Sequence, residues 1–167
     1  MRPRDLSVSP IPDFPLTDAR LLAVLGGYFA LLQRHFDAEP MMEGVLTEDF
    51  ETGFVGGMVW KGLDGLSDFL SQRAGFFDER HEVQQILDRS VRDDGDLEVK
   101  TRLRFFLRRW DDPAAESEEF TGDALHTWRL RLTDDGWRVA AQMVDGFADL
   151  NASSQRLFAT PDEGLNR

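Results

Sequence analysis

Three stretches in the C-terminal half of the chain alternate apolar and polar residues too regularly to be anything but β-strands. In the first, Leu97, Val99, Thr101, Leu103, Phe105 and Leu107 alternate with Glu98, Lys100, Arg102, Arg104, Phe106 and Arg108. Successive side chains of a strand point to opposite faces, so this run has one face for a core and one, mostly charged, for water. In the second, Phe120, Gly122, Ala124, His126, Trp128, Leu130 and Leu132 alternate with Thr121, Asp123, Leu125, Thr127, Arg129 and Arg131. The third puts Trp137, Val139, Ala141, Met143, Asp145 and Phe147 on one face. The acidic loop Asp111–Glu119 joins the first two, and Thr133-Asp134-Asp135-Gly136 has the composition of a hairpin turn. A sheet of this kind has an apolar face that something else must cover.

The N-terminal half supplies the cover. Thr17 is a suitable N-cap, and Leu21, Leu25, Tyr28, Leu32 and His35/Phe36 recur behind it at helical spacing. Pro40 opens a short second helical segment reaching Leu46. Leu46 to Val59 reads as a strand or hairpin broken by Gly53, Gly56 and Gly57. Trp60-Lys61-Gly62 leads into a third helix, with Leu66, Phe69, Leu70, Ala74 and Phe77 on one face. The period then returns to alternation: His81 to Arg92 is a strand, and Asp93 to Asp96 a turn. Helices on one face of an antiparallel sheet make an α+β domain. The expected organisation is a proline-rich arm over 1–16, one domain over 17–150, and a tail over 151–167 carrying a short helix.

Charge and residue usage narrow the function classes. Nineteen basic against thirty-one acidic residues give a formal net charge of −12, which repels phosphate backbones and anionic membranes. Neither nucleic acid nor membrane is therefore an expected partner. The chain has no cysteine, which excludes disulfides and thiolate chemistry. No apolar run is long enough to span a bilayer, and Met1-Arg2-Pro3-Arg4-Asp5 does not open a secretory signal, so a cytoplasmic protein is expected. Three scattered histidines with no helical pair give no metal site, and neither a phosphate loop nor a nucleophile elbow is present. No cofactor is expected.

The informative residues are polar ones on apolar faces. His126 lies among Ala124, Trp128 and Leu130, and Asp145 among Ala141, Met143 and Phe147. With Leu132 opposite Trp137, uninterrupted pairing carries His126 opposite Met143 and Asp145 opposite Ala124. The two would then be diagonal neighbours, roughly 7 Å apart at the backbone. A carboxylate that orients an imidazole makes a general base, with His126 the acid/base and Asp145 its orienter. The same phase also fits a satisfied core pair without chemistry. Tyr28, Phe54, Trp60, Phe77, Trp128 and Met143 are the residues expected to line an apolar cavity, and each would serve equally as core. His35 and His81 stand near element ends and are expected to face solvent. The stripe of Lys100, Arg102, Arg104, Arg129, Arg131 and Arg138 occupies outward phases, as a solvated face or a polar homodimer contact.

Four short motifs, in order, resemble the nuclear-transport-factor-2-like superfamily, especially its SnoaL-like and ketosteroid-isomerase-like branches. They are the apolar first helix ending near Phe36; Leu46-Thr47-Glu48-Asp49-Phe50 leading into the first strand; Trp60-Lys61-Gly62-Leu63-Asp64-Gly65-Leu66 leading into the third helix; and Gly136-Trp137-Arg138-Val139 opening the last strand. The resemblance covers Thr17 to Leu150. It implies an NTF2-like, cystatin-like roll, in which a cone-shaped curved antiparallel sheet packs on an N-terminal helix and two further helices, with a pocket at the open end. The isomerase-like branch carries an acidic base late in the first strand, whereas Thr52-Gly53-Phe54-Val55-Gly56 has no carboxylate. What the resemblance and the inward His/Asp pair together imply is a cofactor-free acid/base enzyme of isomerase, cyclase or dehydratase type. Its substrate would be an apolar cyclic or polyketide-like small molecule, and a homodimer is the implied assembly. The alternative is a noncatalytic ligand-binding or dimerisation module, or an accessory subunit of a larger oxidoreductase.

Overall fold

The computed structural model describes residues 14–158. Most of the expected arm, and the tail beyond residue 158, lie outside that range. Within it, Phe14 and Leu16 are buried against the core. The elements are α1 (Asp18–Gln33), α2 (Ala38–Gly44), β1 (Leu46–Phe54), β2 (Val59–Lys61), α3 (Gly62–Gln72), β3 (Phe76–Val91), β4 (Leu97–Arg109), β5 (Glu118–Thr133), β6 (Gly136–Ala148) and α4 (Ala152–Phe158). Among the described residues no helix is long and apolar enough to cross a membrane.

The six strands form one curved, unclosed sheet in the order β2-β1-β6-β5-β4-β3, and the fold is α+β. All neighbouring pairs are antiparallel except β1 and β6, which run parallel and join the first strand to the last. Thr17 caps α1 as its type suggests, its hydroxyl accepting the Arg20 N–H at 3.3 Å. The helix then lays Leu21, Leu25, Tyr28, Phe29 and Leu32 into the concave face of the sheet. There they meet Val99, Leu103, Phe105, Trp128 and Leu130, all buried. Gly53 is required where β1 turns back towards β2, because a Cβ there would stand 2.2 Å from the Met58 carbonyl oxygen.

Two boundaries differ from the sequence pattern. The third helix stops at Gln72 instead of running to Phe77, and β3 begins at Phe76. Phe76 and Phe77 pair with Arg109 and Arg108 of β4, so the sheet recruits the residues that helical spacing assigned to α3. In β6 the expected register with β5 holds from Leu132–Trp137 to Leu130–Val139 and is then broken twice. Arg129 pairs with Ala141 and Leu125 with Gly146, leaving Ala140 and Asp145 as the extra residues of two bulges. Each bulge reverses which face the following residues present.

The outward arginines are largely satisfied within the chain. Arg102 and Arg104 bond Asp123 at 2.7 and 2.6 Å, and Arg131 bridges Asp96 and Asp49 at 2.9–3.2 Å. Arg138 donates to the carbonyls of Met42 and Leu46 at 3.0 and 3.1 Å, which ties α2 and the start of β1 to the last strand.

Candidate functional site

Between α1, α3 and the concave face of the sheet lies a cavity of about 160 Å³. Its walls are mostly aromatic and aliphatic: Phe29 from α1, Trp60 and Phe69 at the β2–α3 end, Phe105 from β4, and Phe147 from β6. α4 closes one side, where Phe158 stacks on Phe147 with ring centroids 4.3 Å apart. Of the expected lining residues, Phe54 and Trp60 reach the cavity, as does the acid/base candidate His126. Tyr28 and Trp128 are fully buried behind the wall, and the Trp128 indole donates to Thr101 Oγ1 at 3.0 Å.

Three expected site residues are elsewhere, for the reasons of register given above. Phe77 is 39% exposed on β3, and its neighbour Phe76 takes the inward place. Met143 pairs with Thr127 in the outward phase. Asp145 is exposed at the second bulge and accepts the Thr127 hydroxyl at 2.6 Å on the outer face. The His126–Asp145 pair is not formed: the bulge at Ala140 reverses the phase of this part of β6 and brings Gln142 and Val144 inward in its place.

His126 is buried without a carboxylate. Its Nδ1 has no hydrogen-bond partner, and its ring sits edge-on to Trp128 and beside Phe29, at centroid distances of 5.7 and 6.4 Å. Burial alone pushes its pKa from 6.5 down to about 3, so the ring is neutral at ordinary pH. A sealed N–H without an acceptor is costlier than a sealed lone pair, which favours the tautomer with the proton on Nε2.

His81, expected at the surface, is instead a wall of the cavity. Its ring stacks on Phe29 at 4.7 Å and 7°, and its Nδ1 lies 3.0 Å from Gln33 Oε1. A carbonyl oxygen can only accept, so this contact puts the His81 proton on Nδ1 and leaves Nε2 a free lone pair. Burial, with smaller contributions from Arg73 and His126, holds its pKa well below the ordinary value. The cavity therefore contains two neutral imidazoles, with opposite tautomers favoured.

Two polar clusters complete the lining. Thr52 and Tyr28 both donate to Gln142 Oε1, at 2.9 and 3.3 Å. Burial pushes the Tyr28 pKa up to about 12, so its hydroxyl stays protonated. At the other side Arg73 pairs with the buried Glu79. His35, exposed rather than lining the cavity, places Nε2 2.6 Å from Glu79 Oε2, too poorly aligned for a hydrogen bond but close enough for an ion pair when protonated. The sequence gives no signal for Gln142 or Arg73, and its pattern puts His81 at the surface. Only the bulge, the early end of α3 and the curl of β3 turn them inward.

A family profile described as a SnoaL-like domain matches residues 19–142. No curated protein sequence matches the chain. Among solved structures, the Kfla4162 protein of Kribbella flavida is similar with a TM-score of 0.66 at 13% identity, covering 81% of this chain and 93% of that one. A candidate scytalone dehydratase from Novosphingobium aromaticivorans gives 0.63 at 15% identity, with 81% and 91% covered. An NTF2-like protein with a cystatin-like fold from the same organism gives 0.52 at 20% identity, with 83% and 86% covered. At such identities the likeness is one of fold. On the profile match, over most of its length, this chain belongs to the SnoaL-like domain family.

Proposed function

We propose that the protein is a cofactor-free acid/base enzyme that moves a proton on a small cyclic, mostly apolar ketone, in an isomerisation, a dehydration or a ring closure. The observation that carries this reading is the contact of His81 Nδ1 with Gln33 Oε1, which assigns the proton to Nδ1 and leaves Nε2 as the basic nitrogen of a ring that lines an aromatic cavity. In the proposed step His81 Nε2 takes a proton from the carbon next to the carbonyl. The electron pair of the broken C–H bond becomes the enolate double bond, and the carbonyl oxygen carries the charge. The imidazolium then returns the proton to another carbon, or delivers it to a departing hydroxyl to leave as water. His126, neutral and with Nε2–H available, donates to the oxygen. Burial makes His81 a weak base in the empty site, but the enolate is the anion that its cation lacks, so the base strengthens as the reaction proceeds. The solved neighbour described as a candidate scytalone dehydratase is consistent with dehydration chemistry on this fold.

Size limits the substrate. A cavity of about 160 Å³ matches one small ring, since a dry cavity of about 150 Å³ accommodates benzene. A fused polyketide would need α4 or α3 to move.

The second reading, a noncatalytic ligand-binding module, draws on the neutral amide of Gln33 where a catalytic imidazole commonly has a carboxylate. The two readings separate without knowledge of the natural substrate. In D2O the wild-type protein should exchange the α-protons of small cyclic ketones such as cyclohexanone, followed by proton NMR. His81→Ala should exchange them about 100-fold more slowly. A ketone that binds in the cavity with no exchange above buffer would leave the module reading standing.

A further inference from the structure

Gln142 is 5% exposed and lines the cavity, yet only half of its amide is used within the chain. Its Oε1 accepts two hydroxyls, Thr52 from β1 and Tyr28 from α1. With both hydroxyls donating to it, the oxygen is turned towards β1 and α1 and the NH2 towards the remaining space. Among the described residues nothing accepts from that NH2. The NH2 is not sealed but opens on the cavity, so its complement there is an acceptor delivered from outside the chain.

The surroundings define that acceptor. Gln142 stands opposite Trp128 on β5, one inward position from Val144, which stands opposite His126. Phe54 and Phe147 flank the same wall. The donor is neutral, single and embedded in apolar surface, which suits an uncharged carbonyl oxygen and gives no compensation for a desolvated carboxylate. We propose that Gln142 is a ligand-orienting donor, clamped by Tyr28 and Thr52, that selects neutral ring ketones or lactones by binding their carbonyl oxygen. This rests on the cavity being the ligand site of the reading above and assigns the polar end of the ligand to β6. Tyr28 and Thr52 are positioning residues: they hold the amide, Tyr28 from behind the wall and Thr52 from within it.

The test uses two molecules of nearly equal shape, cyclohexanone and methylenecyclohexane, which differ by a carbonyl oxygen against a CH2. Their affinities are measured by NMR titration of the Val144 methyl signals, and the ratio of ketone to hydrocarbon affinity is compared between proteins, so that differences in hydration of the two molecules cancel. Gln142→Met should shift the ratio against the ketone by about tenfold, with hydrocarbon affinity retained. Tyr28→Phe and Thr52→Val should each shift it in the same direction by a smaller factor; they decide the matter if Gln142→Met does not fold. A ratio unchanged in these variants overturns the proposal. Ketone selectivity that depends on Gln142, in a protein without α-proton exchange, would uphold the donor and overturn the catalytic reading. Exchange with no dependence of the ratio on Gln142 would do the reverse. Failure of both molecules to bind would overturn both.

Discussion

Acidification should unfold this protein in a pH range where most carboxylates are still ionised, because its buried imidazoles resist protonation. His126 has a pKa of about 3 in the folded chain against about 6.5 when unfolded. Between those values the unfolded chain holds a proton at this site that the folded chain does not. Stability is therefore complete above about pH 6.5 and is lost as the pH falls towards 3. One proton corresponds to about 1.4 kcal/mol per pH unit, so from well above pH 6.5 down to 5.0 His126 alone removes about 2 kcal/mol. That is a large part of the 5–15 kcal/mol typical of a domain. His81, displaced in the same direction by burial, Arg73 and His126, adds to the loss. The lowered carboxylates Asp49, Glu118 and Asp123 act with the same sign but only below about pH 5, so the window from 6.5 to 5.0 belongs to the histidines. The assay is urea unfolding at half-unit steps through that window, for the wild type and His126→Asn. The variant's free energy of unfolding should decline by about one proton less per pH unit. Equal slopes for the two proteins would refute the sealed, neutral state assigned to His126.

Three further outcomes follow from packing. Thr101→Val leaves the buried Trp128 indole N–H without its acceptor and should cost about 1–3 kcal/mol by chemical denaturation, with Trp128 fluorescence altered. Gly122→Ala places a Cβ 2.5 Å from Leu150 Cδ2 and 3.2 Å from both Leu150 Cα and Phe105 Cζ, so the Leu150 side chain must move and the backbone beside it must give slightly; thermal unfolding should show a loss of about 1 kcal/mol. Arg138→Ala removes the Nη1 group that donates to both the Met42 and Leu46 carbonyls and should cost about 1.5–3 kcal/mol, with faster hydrogen exchange in α2.

The alternation of β4 and β5 was legible because a half-buried strand writes its faces directly into the sequence, and α1 because its apolar stripe is long. The inward phase of His126 followed from the same rule. The phase of Asp145 and Met143 did not, since one extra residue at Ala140 inverts the strand as far as the second bulge, and alanine gives no local signal for a bulge. Phe77 failed for a related reason: a run such as Phe76-Phe77 suits the end of a helix as well as the start of a strand, and pairing with β4 decides. His81 looked peripheral because nothing in a linear reading shows that β3 curls back until its ring lies against Phe29. The motifs resembling the NTF2-like superfamily located the fold, whereas the cavity chemistry depended on register shifts that periodicity does not encode.

The parallel pairing of β1 with β6 has a temporal meaning during synthesis. The bonds from Thr52 and Tyr28 to Gln142 span 90 and 114 residues of chain. A nascent polypeptide that has emitted α1 and most of the sheet still has no finished chamber, because one wall is the last of the described strands to be made. Contacts of such separation are slow to close and leave apolar surface open while they wait. A ligand of the kind proposed above would bind only the completed molecule and would draw late folding forward by mass action. Supply of the ligand and yield of the protein would then rise together.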